Sequence, residues 1–137
     1  MKHFFLDTNI VIDFLANRKP FSIYAAGLFE LAYKKKVNLY ISAVSYNTIF
    51  YILQQSTSNT NAIKLLASIE ELSETMDVTR EVIRNSLKSE FKDFEDAIQY
   101  YTALSNKKID VIVTRNGKDF KKSTISVLSP QEALLLV

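Results

Sequence analysis

A short apolar segment near the start of the chain ends at a carboxylate and passes directly into a helical pattern. Residues 3–6 have the composition of a buried strand, Asp7 follows them, and residues 10–15 have the pattern of a short helix. In an open α/β sheet, ligands bind in the crevice outside the carboxyl ends of parallel strands. Asp7 is therefore a candidate for holding a cation or a reacting group.

The alternation of short apolar strands with helices continues along the whole chain, without linker-like segments or internal repeats. Strands are predicted at residues 3–6, 38–41, 75–78, 109–113 and 125–128. Helices are predicted at residues 10–15, 22–33, 43–54, 62–69, 79–87 and 93–104, with a terminal helix from Ser129. Such alternation favours parallel pairing. It predicts a three-layer α/β/α sandwich with a short central parallel sheet, in one domain spanning residues 1–137.

The composition limits the metal chemistry that is open to the chain. It has no cysteine and one histidine, His3, so a metal ion would be held mainly by oxygen ligands. Oxygen ligands favour Mg²⁺ or Mn²⁺ over zinc. The start of the chain lacks a signal-peptide pattern, and no segment approaches the ~20 apolar residues of a membrane span. We expect a soluble, cytoplasmic protein whose net charge of +2 does not by itself indicate a nucleic-acid binder.

Acidic residues recur in two later segments. Asp93 and Asp96 begin a predicted helix, where they share a face, while Phe94 and Ile98 contribute to an apolar stripe on the other side. Acids in a first helical turn also serve as caps, so capping and function explain this pair equally well. Asp7 could likewise cap a helix, but Thr8 or Asn9 would do so as well.

The third acidic segment, Thr114-Arg115-Asn116-Gly117-Lys118-Asp119, directly follows the most apolar predicted strand. Its simplest interpretation is an Asn-Gly turn with a solvated Asp119. The segment nevertheless occupies the same kind of strand end as Asp7. Two such ends can meet in one crevice, so the three acidic clusters can converge there.

The order and spacing of these motifs resemble the PIN-domain ribonucleases, including the VapC-type toxins of bacterial toxin–antitoxin pairs. The resemblance runs nearly end to end and rests on four pieces of sequence. These are Leu6-Asp7-Thr8-Asn9, Ile41-Ser42-Ala43-Val44-Ser45, Asp96-Ala97-Ile98, and Thr114-Arg115-Asn116 with Asp119-Phe120.

This resemblance implies a metal-dependent endoribonuclease that hydrolyses single-stranded RNA with Mg²⁺ or Mn²⁺. Asp7 and Asp96 match family acids, Asn116 matches the last acidic position of many members, and Asp119 is the remaining carboxylate nearby. The implied catalytic set is Asp7, Asp96, Asn116 and Asp119, and the implied metal set is Asp7, Asp93, Asp96 and Asp119. Arg115 and Lys118 flank the predicted site as candidate substrate-binding cations.

One position departs from the family pattern. The family usually has Glu six residues after the residue that matches Ser42, and this chain has Thr48 there. A hydroxyl replaces a carboxylate poorly as a metal ligand, although Asp93 could compensate. The alternative is therefore a catalytically impaired PIN-like module that binds RNA or protein.

The resemblance also implies an antitoxin partner and a homodimer. The apolar segment 49–53 could supply such an interface, and burial in the chain's own core explains it equally well.

Two other enzyme classes are disfavoured. Haloacid-dehalogenase-like phosphotransferases need an acid two residues after the first Asp, where this chain has Asn9, and no phosphate-binding Gly-rich loop is present.

Overall fold

The computed structural model describes all 137 residues as a five-stranded parallel sheet with helices on both faces. The strands are β1 (Lys2–Leu6), β2 (Val37–Ser42), β3 (Glu74–Met76), β4 (Val111–Val113) and β5 (Ser126–Leu128). The helices are α1 (Thr8–Leu15), α2 (Ser22–Tyr33), α3 (Ala43–Ser56), α4 (Asn59–Leu72), α5 (Arg80–Lys88), α6 (Phe94–Leu104) and α7 (Pro130–Leu134), with a 3₁₀ helix at Gly117–Phe120. None of these helices has both the length and the apolar character needed to cross a bilayer. The predicted α/β sandwich is confirmed.

The order of the strands creates a crevice at the centre of the sheet. The order is β3-β2-β1-β4-β5, so the chain builds outward from β1 on one side and then crosses back to β4 on the other. Leu6 pairs with Val113 in parallel register, and the Asp7 backbone amide donates to the Val113 carbonyl at 3.0 Å. Ligand sites of open α/β sheets lie where the strand order reverses, here between the carboxyl ends of β1 and β4.

Alternate residues of each central strand enter two separate cores. In β1, Phe4 and Leu6 pack into the larger core with side chains from α1, α2, α3, α4 and α7. Phe5 points to the opposite face and joins the smaller core, to which α6 contributes Tyr100 and Ala103. The sheet is thus apolar on both faces, as expected for parallel strands covered by helices.

Several element boundaries differ from the sequence prediction for local reasons. Helix α4 begins at Asn59 because Ser58 caps it, its hydroxyl accepting from the Asn61 amide at 3.1 Å. The predicted Asn-Gly turn is instead a 3₁₀ helix that buries Phe120.

Two predictions about apolar side chains also need correction or refinement. Phe94 does not belong to a buried stripe, since it is 48% exposed at the start of α6. In the segment 49–53, Ile49 and Leu53 are core residues and Tyr51 is 61% exposed, so burial accounts for most of its apolar character.

The larger core makes a direct prediction about stability. Ile49 in α3 is fully buried, whereas Ile63 in α4 is 56% exposed. We expect Ile49→Ala to lower the free energy of unfolding by about 2–5 kcal/mol, because it removes buried methyl groups and leaves a cavity. The matched variant Ile63→Ala should change it by less than about 1 kcal/mol. Urea denaturation followed by circular dichroism measures both, and equal losses would contradict the predicted packing.

Candidate active site

Asp7 is a carboxylate buried at the end of the central strand. Asp7 is only 6% exposed and lies at the N-cap position of α1. The Thr114 hydroxyl donates to Asp7 Oδ2 at 2.8 Å, and the Asn116 backbone amide donates to the Thr114 hydroxyl at 3.1 Å. The turn after β4 therefore orients Asp7.

Burial and charge disfavour the ionised form of Asp7. Removal from water raises its pKa above the usual value, and the nearby charge of Asp119 adds to that effect. The Thr114 hydroxyl, the Thr8 backbone amide and the Arg115 charge act in the opposite direction without cancelling it. The folded chain therefore compensates the charge of an ionised Asp7 only in part, an arrangement that a bound cation would relieve.

Asp96 lies in the first turn of α6, where Asp93 caps the helix. The Asp96 backbone amide donates to Asp93 Oδ1 at 3.0 Å, which confirms the predicted capping role of Asp93. Partial burial raises the pKa of Asp96 to about 7, and the charges of Asp93, Asp7, Asp119 and Glu95 contribute to this shift. Close like charges are the arrangement that a bound cation would relieve.

The predicted acids thus lie within electrostatic range of one another but do not close around a single point. No group of three or more His, Asp or Glu side chains is placed to hold a metal ion together. Asp7 is buried and Asp96 is half-buried, while Asp93 and Asp119 are exposed. The structure therefore offers two inner carboxylates, with two further ones available from exposed positions.

The chemistry of this donor set fits a hard divalent cation. All four candidate ligands are carboxylates, and His3 is engaged elsewhere, with its Nδ1 atom 2.8 Å from the Tyr40 hydroxyl. Mg²⁺ is commonly bound by one or two carboxylates together with waters and substrate phosphates. Two inner carboxylates with unrelieved negative charge match that requirement.

A buried polar cluster that includes neighbours of Asp7 and Asp96 in the sequence was not predicted. The Gln99 side-chain amide donates to the Thr8 and Ser45 hydroxyls at 2.6 and 2.8 Å, and these hydroxyls are 2.8 Å apart. All three residues are buried, and they join α1, α3 and α6. Gln99 is three residues after Asp96, and Ser45 is three after Ser42, so helical spacing was the signal that could have indicated them.

Arg115 was predicted to bind substrate, but the structure places its side chain in an internal ion pair. Its Nε atom donates to Asp13 Oδ2 at 2.7 Å, and its Nη2 atom donates to Asp13 Oδ1 at 3.1 Å. Asp13 is 1% exposed and needs such a partner, and the guanidinium also lies 3.9 Å from the centre of the Phe21 ring. Arg115 therefore fixes the turn after β4 to α1.

The remaining predicted residues lie around the same edge of the sheet. Asn116 is half-buried next to Thr114, and its side chain caps nothing. Lys118 is exposed and lines a cleft together with Asp96 and Asp119. Thr48 is half-buried in α3, three residues beyond Ser45.

The raised pKa of Asp96 predicts a pH-dependent stability. The folded chain holds this proton up to a pKa of about 7, whereas the reference value is 3.8, so the free energy of unfolding falls as pH rises across that interval. We expect Asp96→Asn to be more stable than wild type at about pH 8, by ~1 kcal/mol after allowance for solvent screening. The difference between the two proteins should vanish below about pH 4, where the Asp96 side chain is protonated and neutral, as the asparagine is.

Urea unfolding at a series of pH values measures this difference. Glu70→Gln is the matched control, because Glu70 is an exposed carboxylate of α4 that forms no ion pair. An advantage of Asp96→Asn that is equal at all pH values would contradict the electrostatic explanation.

Comparison with known proteins places this architecture in a family. The model of the PIN domain matches residues 3–118, which is most of the chain. The chain is 24% identical to Ribonuclease VapC1 of Aquifex aeolicus, over 93% of this chain and 90% of that protein.

Solved structures with the same fold include two VapBC complexes. DNA-bound VapBC from Salmonella typhimurium is 19% identical with a TM-score of 0.71, covering 95% of this chain and 99% of the other. VapBC2 from Rickettsia felis, bound to a DNA fragment from its promoter, is 20% identical with a TM-score of 0.69, covering 93% and 97% of the two chains. The extent of the family match shows that this chain belongs to the PIN-domain family.

Proposed function

We propose that this protein is a metal-dependent endoribonuclease that hydrolyses single-stranded RNA and acts as the toxin of a toxin–antitoxin pair. The observation that carries the proposal is the buried Asp7 carboxylate, under-compensated and within electrostatic range of Asp96 at the sheet's switch point. Its relative from Aquifex aeolicus is named a ribonuclease, which supports the reaction class.

In this proposal the role of each candidate residue follows from its position in the site. Asp7 and Asp96 would hold Mg²⁺ or Mn²⁺, and the exposed Asp93 and Asp119 would supply further carboxylate oxygens. A bound divalent cation supplies charge neutralisation at the scissile phosphate and lowers the pKa of an attacking water. Thr114 keeps Asp7 in one orientation through its 2.8 Å hydrogen bond. Asn116 orients water or a phosphate oxygen, and Lys118 neutralises phosphate charge nearby.

The partners and the compartment are part of the same proposal. The structural neighbours include VapBC complexes, which supports an antitoxin as the partner of this chain. We propose a homodimer in the cytoplasm, where RNA is available and a protein without cysteine needs no oxidising environment.

A second candidate function is an impaired PIN module that binds RNA or protein without cleaving it. Two observations favour it: Thr48 stands where the family has a carboxylate, and no three acids are placed to hold an ion. The two candidates differ in whether RNA is cut when Mg²⁺ or Mn²⁺ is added.

Asp7→Asn tests the proposed reaction directly. We expect purified wild type to cleave a labelled single-stranded RNA with Mg²⁺ or Mn²⁺ and not in EDTA. Asp7→Asn should cleave it on the order of 100-fold more slowly or worse, because the amide keeps the size but removes the anchoring charge. Expression of wild type alone should slow growth, and Asp7→Asn should relieve that effect.

Glu70→Gln serves as the control, since it makes the same carboxylate-to-amide change in α4, away from the site. Intact RNA after incubation of wild type with either ion would favour the impaired module. Equal toxicity of wild type and a folded Asp7→Asn would exclude metal-dependent hydrolysis as the cause.

Thr48→Glu tests the missing acid. We expect this substitution to tighten Mn²⁺ binding on the order of tenfold, equivalent to ~1.4 kcal/mol, because it adds a carboxylate where the family usually has one. Isothermal titration calorimetry measures the change, with Thr48→Gln as a neutral control of similar size. An unchanged affinity would mean that position 48 does not face the cation, or that Asp93 already takes the role.

A further inference from the structure

A lysine-lined cleft opens beside the candidate active site. Its volume is about 400 Å³, and it lies between the loop that joins α5 to α6 and the segment that begins with the 3₁₀ helix. Lys92 comes from the loop, and three more lysines come from the opposite segment: Lys118, Lys121 and Lys122. We call these four residues and the space between them the lysine cleft.

Aromatic packing holds the two walls of the lysine cleft together at its base. Phe91, from the loop, lies edge-on to Phe120 with 6.2 Å between ring centres and stacks on Tyr100 at 5.3 Å. Phe120 is 2% exposed in the smaller core. At the surface, Lys122 forms an ion pair with Glu90 across the two walls. The cleft is therefore built into the fold, since both walls are anchored to the core or to each other.

Most of the charge in the lysine cleft is free to meet a ligand. Lys92, Lys118 and Lys121 are exposed, and none of them has a carboxylate partner within 4.0 Å. Four carboxylates line the same space and balance the four lysines: Glu90, Asp93, Asp96 and Asp119. A cation on the candidate metal ligands would make the cleft net positive. A ligand that suits both the unpaired lysines and the bound cation must be anionic and must also bind a cation that carboxylates hold.

We propose that the lysine cleft binds the phosphodiester backbone of the RNA strand next to the phosphate that is cut. This inference rests on the proposed function and assigns Lys92, Lys121 and Lys122 to the substrate, together with Lys118. A phosphodiester meets both requirements, because its oxygens bind ammonium groups and divalent cations alike. An acidic peptide would also neutralise the lysines, but its carboxylates do not repeat at the regular interval of the phosphates in a nucleic-acid backbone.

Binding to RNA can be measured apart from cleavage. A fluorescein-labelled single-stranded RNA of about twelve nucleotides is titrated with protein in the presence of Ca²⁺, a hard cation that carboxylate oxygens bind, and anisotropy is followed from about 20 to 150 mM salt. Gel electrophoresis verifies that the RNA stays intact during the titration. The test variant is Lys118→Glu with Lys121→Glu, and the matched control is Lys107→Glu with Lys108→Glu. The control pair is also exposed and precedes β4, at the opposite edge of the sheet. Thermal melts verify that both variants fold.

We expect the cleft variant to bind RNA at least about tenfold more weakly at low salt, with a salt slope reduced by about 1.4, since each phosphate contact of a single strand contributes ~0.7. Lys92→Gln, on the other wall, should reduce the slope by about 0.7. The control pair should stay within about twofold of wild type. Equal loss in both charge-reversal variants, or absence of RNA binding by wild type at ~20 mM salt, would overturn the proposal.

Two further arms separate this inference from the proposed function and from a protein ligand. If wild type cleaves RNA with Mg²⁺ and the cleft variant binds and cleaves equally well, the cleft assignment fails while the nuclease stands. If wild type never cleaves RNA but the cleft variant loses RNA binding, the nuclease fails and the cleft stands. A glutamate peptide of equal charge should compete poorly, and competition equal to that of unlabelled RNA would overturn the proposal in favour of an acidic protein segment.

Discussion

The burial of one negative charge, Asp7, at the end of the central strand governs the arrangement of its surroundings. Asp7 is 6% exposed, and a carboxylate in that environment is costly unless it is hydrogen-bonded or paired. The chain supplies the Thr114 hydroxyl, which requires β4 to end beside β1 and to turn sharply after Val113. The parallel pairing of these two strands is therefore a condition for the site as well as for the core.

Buried polar groups as well as the apolar core hold the surroundings of Asp7 in place. A hydrogen-bonded cluster of Gln99, Thr8 and Ser45 joins three helices, and Thr8 directly follows Asp7 in the sequence. The Gln99 carbonyl oxygen is buried without a hydrogen-bond partner, and such an atom costs about 1–3 kcal/mol. A chain selected for stability alone would gain from apolar side chains at these positions. Their retention agrees with a region where orientation matters more than stability.

The fold was predictable because its signals are local. Short apolar segments alternate with helical periodicity, and caps such as Thr79 and Ser129 lie where helices begin. The predicted bounds of α2 match the structure, whereas β4 is shorter than predicted. At β4, the Asp110 amide donates to the His3 carbonyl, while the His3 amide donates to the Asp110 carboxylate. Such long-range pairings decide strand ends, and they leave no signal in the local sequence.

The candidate site was predictable only in part, for the same reason. Strand ends and helical spacing brought Asp7, Asp96 and the turn after β4 to one edge of the sheet. The partner of each charged side chain could not be predicted, because two partners can lie about a hundred residues apart in the sequence. Arg115 is an example: its position beside the strand end suggests a substrate contact, yet Asp13 binds it with both carboxylate oxygens.

This division of partners determines how the surface around the acids is charged. A buried carboxylate such as Asp13 needs a cationic partner, and Arg115 binds both of its oxygens. The charge of Arg115 is therefore not available to a ligand near the site. Glu90 occupies Lys122 in a weaker, exposed pair, which water and salt compete with readily. Three lysines that line the cleft beside Asp96 and Asp119 have no carboxylate partner: Lys92, Lys118 and Lys121. In the proposed function these lysines would attract an anionic strand toward Asp96, whereas the charge of Arg115 is already balanced by Asp13.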